Sequence, residues 1–445
     1  METENRSYQN RVRNLDARLR DAGGNIRVVK KTTSNLFRYQ PRRQKGARKV
    51  SLGNFTHILD IDTDRGELEV EGLATYDAIV QFTLRHGFLP TVAPELRHIT
   101  IGGAIVGIGI ESSCYRHGFV HDGLLEADVM LPDGRVVHCR PDNEHADLFR
   151  ALPNSYGTLG YILRARIRLC PAAPFVRLRN RRFTTIEGYV DAMAAAARDP
   201  DHDFVEGLFY KEDELYLTTA TLTTEGSDPL NIYRNVYYRR LREDTELTLR
   251  TEDYIFRYDP DWFWNVPEDG LFTLFRRFAP RSVRRSNVYN RYKKTKDRVT
   301  DMLGIKEEGW EPLIQDWEVP WEHAVEFTRF LLQNVDIQDQ PWAALPIVPR
   351  QSPTLYPVRA GEMYFNVGCY CYAETPPVEE DHHYTRILDA KCFALGGIKM
   401  LYSTTFLSRE EFDRIYNGAT YQELKQRYDP SGNAPDLFRK AVLGG

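Results

Sequence analysis

This sequence predicts an α+β fold in more than one unit, on three observations. Its 445 residues exceed one ordinary core, since domains usually run to roughly 100–200 residues. Up to about Leu169 the chain sets short strands among glycine-studded turns, with few helices between them. After Pro171 the texture changes to long strands, a proline-preceded helix and a helical tail. Apolar residues at 42% and charged residues at 27% are globular proportions and exclude a largely disordered chain.

The elements follow in order. Residues 4–23 read as an amphipathic helix that Gly23 and Gly24 stop. Strands are expected at Ile26–Val29, His57–Ile61 and Leu68–Glu71, the last two joined by the polar turn Asp62–Gly66. Thr75 stands where an N-cap belongs, before a helix over Tyr76–His86. The stretch LLEADVMLPDGRVVHC reads as a hairpin turning at Asp133 and Gly134. Pro171 marks a boundary, so the units are expected at 1–172, 173–400 and 401–445. Within the second, Phe204–Tyr210, Leu215–Leu222 and Met363–Tyr372 read as long strands, and Trp321–Asn334 as a helix behind Pro320. Beyond 400, Ser408 before Arg409, Glu410 and Glu411 supplies a cap and an acidic first turn. The tail is expected to pack back on the first unit.

A formal net charge of −4 gives no footprint for nucleic acid, and no such partner is expected. Cysteines at 114, 139, 170, 369, 371 and 392 include no CxxC spacing, and no metal site is expected. Cys369 and Cys371 share one face of a strand, as neighbouring core thiols do. The N-terminal stretch is polar, and no run reaches the ~18 apolar residues of a membrane span. A cytoplasmic location follows as the expectation.

Four glycines at 102, 103, 107 and 109 crowd the segment PELRHITIGGAIVGIGI, residues 94–110, among β-branched side chains. Glycine is costly inside regular structure, so the backbone here either passes close to something or turns with positive φ. Exposed N–H groups of that kind can cradle a pyrophosphate; a tight buried turn between strands is the other reading. GxGxxG is not completed, since residue 112 is serine. Two polar small-residue loops join it: Lys31-Thr32-Thr33-Ser34-Asn35 after a strand, and Ser155-Tyr156-Gly157-Thr158-Leu159-Gly160 before one.

This order of segments resembles the FAD-linked oxidoreductases of the vanillyl-alcohol-oxidase type and, more narrowly, the sterol Δ24-reductase (Diminuto) family. The resemblance is carried by FTHILDIDT (55–63), PEL..ITIGG..VGIGIESS (94–113), DLF.A.P.S.GTLG (147–160), FVEGLFY (204–210) and REEFDRIYNGATYQELK (409–425). It implies a two-part FAD-binding domain over 1–172 and an α/β substrate, or cap, domain over 173–400. It implies noncovalent FAD touching Ser34, Asn35, Thr100, Gly102, Gly103, Gly107, Gly109, Glu111, Ser112, Gly157 and Thr158. The eukaryotic members carry an N-terminal membrane segment without counterpart here, and bacterial relatives act on methyl-branched acyl chains. The implied activity is reduction of a carbon–carbon double bond in a lipid, fatty acyl or sterol-like, with NADPH as electron source. A flavin oxidase or desaturase on the same scaffold is the alternative. A flavinless binding protein is disfavoured by the intact glycines.

Alkene reduction needs a hydride and a proton donor. Glu206 alternates with Phe204, Leu208 and Tyr210 on an apolar strand face, where burial would keep it protonated; an ion pair with arginine is the competing reading. Tyr364, Asn366, Tyr370 and Tyr372 share a strand face that lines a substrate cavity or forms a solvated edge, and Tyr364 and Tyr370 join Glu206 as catalytic candidates. Cys114, His117 and His121 follow the glycine segment and are read as packing residues before flavin tethers. Between Tyr258 and Arg285, aromatics accompany arginines, which suits either internal packing or peripheral contact with an anionic membrane.

Overall fold

The computed structural model describes residues 7–15, 26–29, 48–264, 278–302, 309–375 and 381–443. After a helix over residues 7–15 comes a short parallel pair, β1 (Ile26–Val29) and β2 (Arg48–Ser51). Next comes a first sheet of β3 (Ile58–Asp62), β4 (Glu67–Glu71), β5 (Phe88–Pro90), β6 (Leu124–Met130), β7 (Val136–Cys139) and β8 (Tyr161–Pro171). Its order is β3-β4-β8-β6-β7, with β5 pairing β8. The Asp133-Gly134 turn joins β6 to β7 as expected, with Gly134 at φ 94°. Thr75 caps the helix Tyr76–Leu84 by accepting from Ala78 N.

A second, eight-stranded sheet holds β9 (Phe175–Phe183), β10 (Phe204–Lys211), β11 (Glu214–Thr223), β12 (Glu246–Arg250), β13 (Trp310–Pro320), β14 (Trp342–Ile347), β15 (Tyr364–Glu374) and β16 (Ile398–Lys399). Its order is β12-β9-β11-β10-β14-β15-β13-β16, antiparallel throughout. Because strand side chains alternate, each strand gives one set of residues to each face. Val205, Phe209, Leu313, Trp317, Phe365, Val367, Cys369 and Cys371 pack with the helices Ile186–Arg198, Ala324–Asn334 and His383–Ala394. Phe204, Leu208, Tyr364 and Tyr370 point the other way and merge with the core of the first sheet. The face carrying Tyr364, Asn366 and Tyr370 is therefore buried and is no solvated edge.

Two expectations need correction. Residues Ile101–Val106 form a short helix, not a turn between strands. Positive φ falls on none of Gly102, Gly103, Gly107 or Gly109 but on Ile108, at 57°. Glycine at 102 serves close approach instead: a Cβ there would lie 2.8 Å from the Gly72 carbonyl oxygen, to which Gly102 N donates. The expected helix Trp321–Asn334 begins with a single 3₁₀ turn, Trp321–His323.

The C-terminal helices Arg409–Ile415, Gly418–Tyr428 and Leu437–Ala441 return to the first unit. Ser408 and Glu411 form a reciprocal capping box at their start. The buried Lys425 ammonium donates to the Thr158 carbonyl at 2.9 Å, to the Ala434 carbonyl at 2.9 Å and to Asp429 at 2.6 Å. Arg427 and Tyr428 both reach Asp147, at 2.7 and 2.6 Å.

Candidate active site

The glycine segment and the 154–160 loop come together at the edge of the first unit. Thr100 caps the helix Ile101–Val106, its hydroxyl accepting from Gly103 N at 3.3 Å. Tyr156 N donates to the Val106 carbonyl at 3.1 Å, and Tyr156 OH to the Gly107 carbonyl at 3.2 Å. Asn154, Tyr156 and Gly157 all have positive φ, at 62°, 49° and 76°, which folds this loop tightly against the helix end. Lys440 clasps the loop from outside through the Tyr156 carbonyl.

The residues present fit a dinucleotide here. The buried Ile108 and the half-buried Ile110 have backbone N–H groups that donate to no acceptor among the described residues. Such buried donors normally have partners, and an anionic group is a suitable one. Thr100, Gly103, Gly107, Gly109, Gly157 and Thr158 lie on the helix Ile101–Val106, at its ends and on the loop packed against it; Gly102 packs inward with its N–H given to Gly72, and Ser34 and Asn35 lie outside the described residues. Glu111 and Ser112 sit further in: Ser112 N and Oγ both reach Glu111 Oε1, at 2.6 and 2.7 Å, while Glu111 Oε2 is buried without a partner.

Glu206 is not the isolated apolar-face acid that its strand pattern suggested. Arg257 grips it through Nε at 3.1 Å to each oxygen and through Nη2 at 2.6 Å, and Tyr237 OH donates to Oε1 at 2.6 Å. Donors meet both of its oxygens, one of them a guanidinium, which makes these bonds strong. The same Nη2 reaches Glu111 at 2.8 Å and Glu95 at 3.1 Å, so one guanidinium serves three carboxylates. The guanidinium is fully buried among Tyr254, Tyr258 and Tyr237, its carbon 4.4, 5.0 and 5.8 Å from their ring centres. Burial opposes that charge, yet the surrounding acids hold it more firmly than in water. Glu95 is driven well above the usual carboxylate range by burial first and then by Glu111.

A second acidic group stands on the same sheet face. Asp316 and Glu318 on β13 flank Trp317, which points to the opposite face. Asn366 Nδ2 lies 2.9 Å from Glu318 Oε1 and 3.3 Å from Asp316 Oδ1, and Tyr356 OH donates to Glu318 Oε2. No cation reaches either carboxyl among the described residues. Burial raises both, Glu318 to about 8 and Asp316 well above its ordinary value, Asp316 being raised further by Glu318.

The remaining candidates take structural places. Tyr364 OH accepts from Arg359 N at 3.1 Å, and Tyr370 stacks on Phe263 with ring centres 4.1 Å apart. Trp262 and Trp264 are buried beside Phe263, so these aromatics face the core and not a membrane. Arg285 pairs with Asp77 at 3.2 Å, and Arg284 donates to the Tyr233 carbonyl; Arg276 and Arg277 lie outside the described residues. Cys114 is buried, its thiol pushed well up, and His121 is pushed down to about 3 by burial, with both ring nitrogens unpartnered. Glu95, Arg257, Asp316 and Glu318 escaped the sequence reading. Asp316 and Glu318 carried a usable signal, since IQDWEVP sets two acids in period two with apolar neighbours, as FVEGLFY does for Glu206.

A model of the family described as FAD binding domain matches residues 12–140. Along almost its whole length the chain is similar to the Δ24-sterol reductase of Homo sapiens, 28% identical over 96% of this chain and 86% of the human protein. It is also similar to the Δ24-sterol reductase homolog of Caenorhabditis elegans, 22% identical over 99% of this chain and 88% of the worm protein. The Arabidopsis thaliana Δ24-sterol reductase is 25% identical, over 89% of this chain and 77% of its own length.

Proposed function

We propose that this chain, which belongs to the FAD-linked sterol Δ24-reductase family, reduces a carbon–carbon double bond in the side chain of a sterol-like lipid, with NADPH as electron source. Its α+β fold, a FAD-binding unit of the vanillyl-alcohol-oxidase type with an additional domain, is the fold of that family. FAD is its cofactor. The observation that supports the reaction most directly is the buried sheet face packed on the core of the first sheet, which combines apolar surface with carboxyl groups that no cation among the described residues neutralises.

When bound, FAD would supply hydride transfer from the nicotinamide to one alkene carbon. The helix ends and the loop carrying Thr100, Gly103, Gly107, Gly109, Gly157 and Thr158 would hold its phosphates and sugar, Ser34 and Asn35 adding contacts by family resemblance, with Gly102 packed beneath them on Gly72. Glu111 and Ser112 lie further in, where Arg257 fixes Glu111. Glu206, bound by the same arginine, orients this floor and does not carry the proton. Tyr364 and Tyr370 belong to the wall along which the lipid would lie. Peripheral contact with an anionic membrane would use the exposed Phe278 and Val283 beside Arg281.

The test is anaerobic. The yellow protein is mixed with NADPH and then with a sterol carrying a Δ24 double bond, and product is read by mass spectrometry. Bleaching by NADPH and recolouring by the alkene, with two hydrogens gained in the product, is the expected result. Recolouring by air alone, with no reduced sterol, would refer the chain to the oxidase or desaturase reading.

A further inference from the structure

We propose that the Asp316 carboxyl gives the proton to the substrate carbon that does not receive the hydride, an assignment that rests on the alkene-reductase reading above.

The placement comes from the sheet. Leu208, Ala343, Gly368 and Asp316 form one row across β10, β14, β15 and β13, by the pairs Leu208↔Ala343, Ala343↔Gly368 and Asp316↔Gly368. Gly368 leaves its space to the Asp316 carboxyl, and Ala343 beyond it fills little, so the row is hollow between Leu208 and that carboxyl. Ala343 stays partly exposed although its strand has neighbours on both sides and its face is turned to the first unit, and Ile314 on β13 does too. Open space over the middle of a covered sheet has an apolar floor, which suits a hydrocarbon chain. Asp316 closes one end of it.

The chemistry selects Asp316 from five buried or half-buried acids. Glu95, Glu111 and Glu206 share Arg257. Glu318 has an oxygen occupied by Asn366 and the other by Tyr356. Asp316 is 7% exposed, has one long contact at 3.3 Å on Oδ1, and its Oδ2 meets no donor among the described residues. A buried carboxyl without a cation or a full set of donors holds its proton, and Asp316 is raised well above its ordinary value. It is thus an acid with a free edge beside an apolar hollow.

The step balances. The alkene π bond breaks and two C–H bonds form, one with the hydride and its electron pair, the other with the proton from Asp316. The carboxylate left behind takes a proton back from water that enters when product leaves.

The test compares wild type, Asp316→Asn and Asp316→Glu with NADPH and a Δ24-unsaturated sterol in detergent. For Asp316→Asn, product formation should fall roughly 10²–10⁴-fold while flavin content and bleaching by NADPH persist. Asp316→Glu should recover part of the loss. Independently of turnover, the infrared spectrum of the wild type should contain a protonated-carboxyl C=O band that Asp316→Asn lacks. Product formation by Asp316→Asn close to wild type overturns the assignment, as does absence of that band from the wild type. Where Asp316→Asn folds poorly, Asp316→Glu is the deciding variant: it keeps an acid at the position, and turnover no better than that of Asp316→Asn in a folded, flavin-loaded Asp316→Glu overturns the assignment. A wild type that binds flavin but reduces no alkene sinks the reductase reading, and Asp316's part in it, at a separate and recognisable point.

Discussion

Gly368 faces Asp316 across the β13–β15 ladder, and a Cβ at 368 would lie 2.4 Å from Asp316 Oδ1. The carboxyl therefore occupies the volume that any other residue at 368 would need.

Gly368→Ala should fold, because the group it strikes is a side-chain end that can swing away. Overpacking of this kind typically costs about 1–3 kcal/mol. Flavin content should hold while alkene reduction drops at least about tenfold, since the carboxyl leaves its position. Thermal melting, flavin absorbance and product formation read the three quantities. Unchanged turnover would mean that the orientation of Asp316 is irrelevant.

Arg257→Met should be strongly destabilising, by about 3–5 kcal/mol, because it strands acids that share one cation. Arg257→Lys should rescue little, since an ammonium cannot reproduce the forked grip on Glu206. Urea unfolding midpoints measure both. Full rescue by lysine would show that charge alone matters there.

How much of this was legible beforehand depended on the kind of signal. Period-two alternation placed β10, β11 and β15 within a residue or two, and Ser408 and Thr75 announced their helices, because these cues are local. Of the two readings of the glycine segment, close approach holds at Gly102, which answers to Gly72, and positive φ holds at none of the four glycines, because the segment forms a helix. For Glu206 the strand pattern gave burial, and of its two readings the ion pair with an arginine is the one found; which arginine was not legible, since Arg257 lies 51 residues away and no local pattern binds them. Asp316 gained its meaning only when Gly368 and Ala343 were seen in its row.

A pH dependence follows from Glu318, whose folded value is raised to about 8 from an ordinary value near 4.3. Below about pH 4 both folded and unfolded chains keep this proton, and its effect on stability is nil. Between about pH 4 and 8 the unfolded chain releases the proton while the folded one holds it, so stability declines as pH rises. Glu318→Gln should flatten that decline in a series of urea titrations. An unchanged slope would place the titration elsewhere, Asp316 and Glu95 being raised in the same direction.

Glycines 102 and 103 should separate fold from cofactor. Gly102→Val meets the Gly72 carbonyl and the Ile162 side chain, so it should lower the melting temperature with or without flavin. Gly103 is only partly buried, so Gly103→Val should give folded, colourless protein. A yellow Gly103→Val would remove that residue from the cradle.

Peripheral membrane contact should depend on apolar side chains more than on arginines already engaged internally. Phe278→Ser with Val283→Ser should reduce flotation with anionic liposomes, while Arg285→Gln should leave flotation nearly as it was and weaken the fold at Asp77. Equal flotation of all three proteins would exclude this surface.

The clasp of Lys425 on the Thr158 carbonyl spans 267 residues. During synthesis at about 5–20 residues per second, the 154–160 loop leaves the ribosome tens of seconds before its clamp exists. The nascent first unit therefore waits with an unfinished cradle, and Lys440 follows later still. Cofactor capture is expected to be among the last events in the protein's maturation. A chain interrupted before Lys425 should accumulate as apoprotein, however well its first sheet has formed.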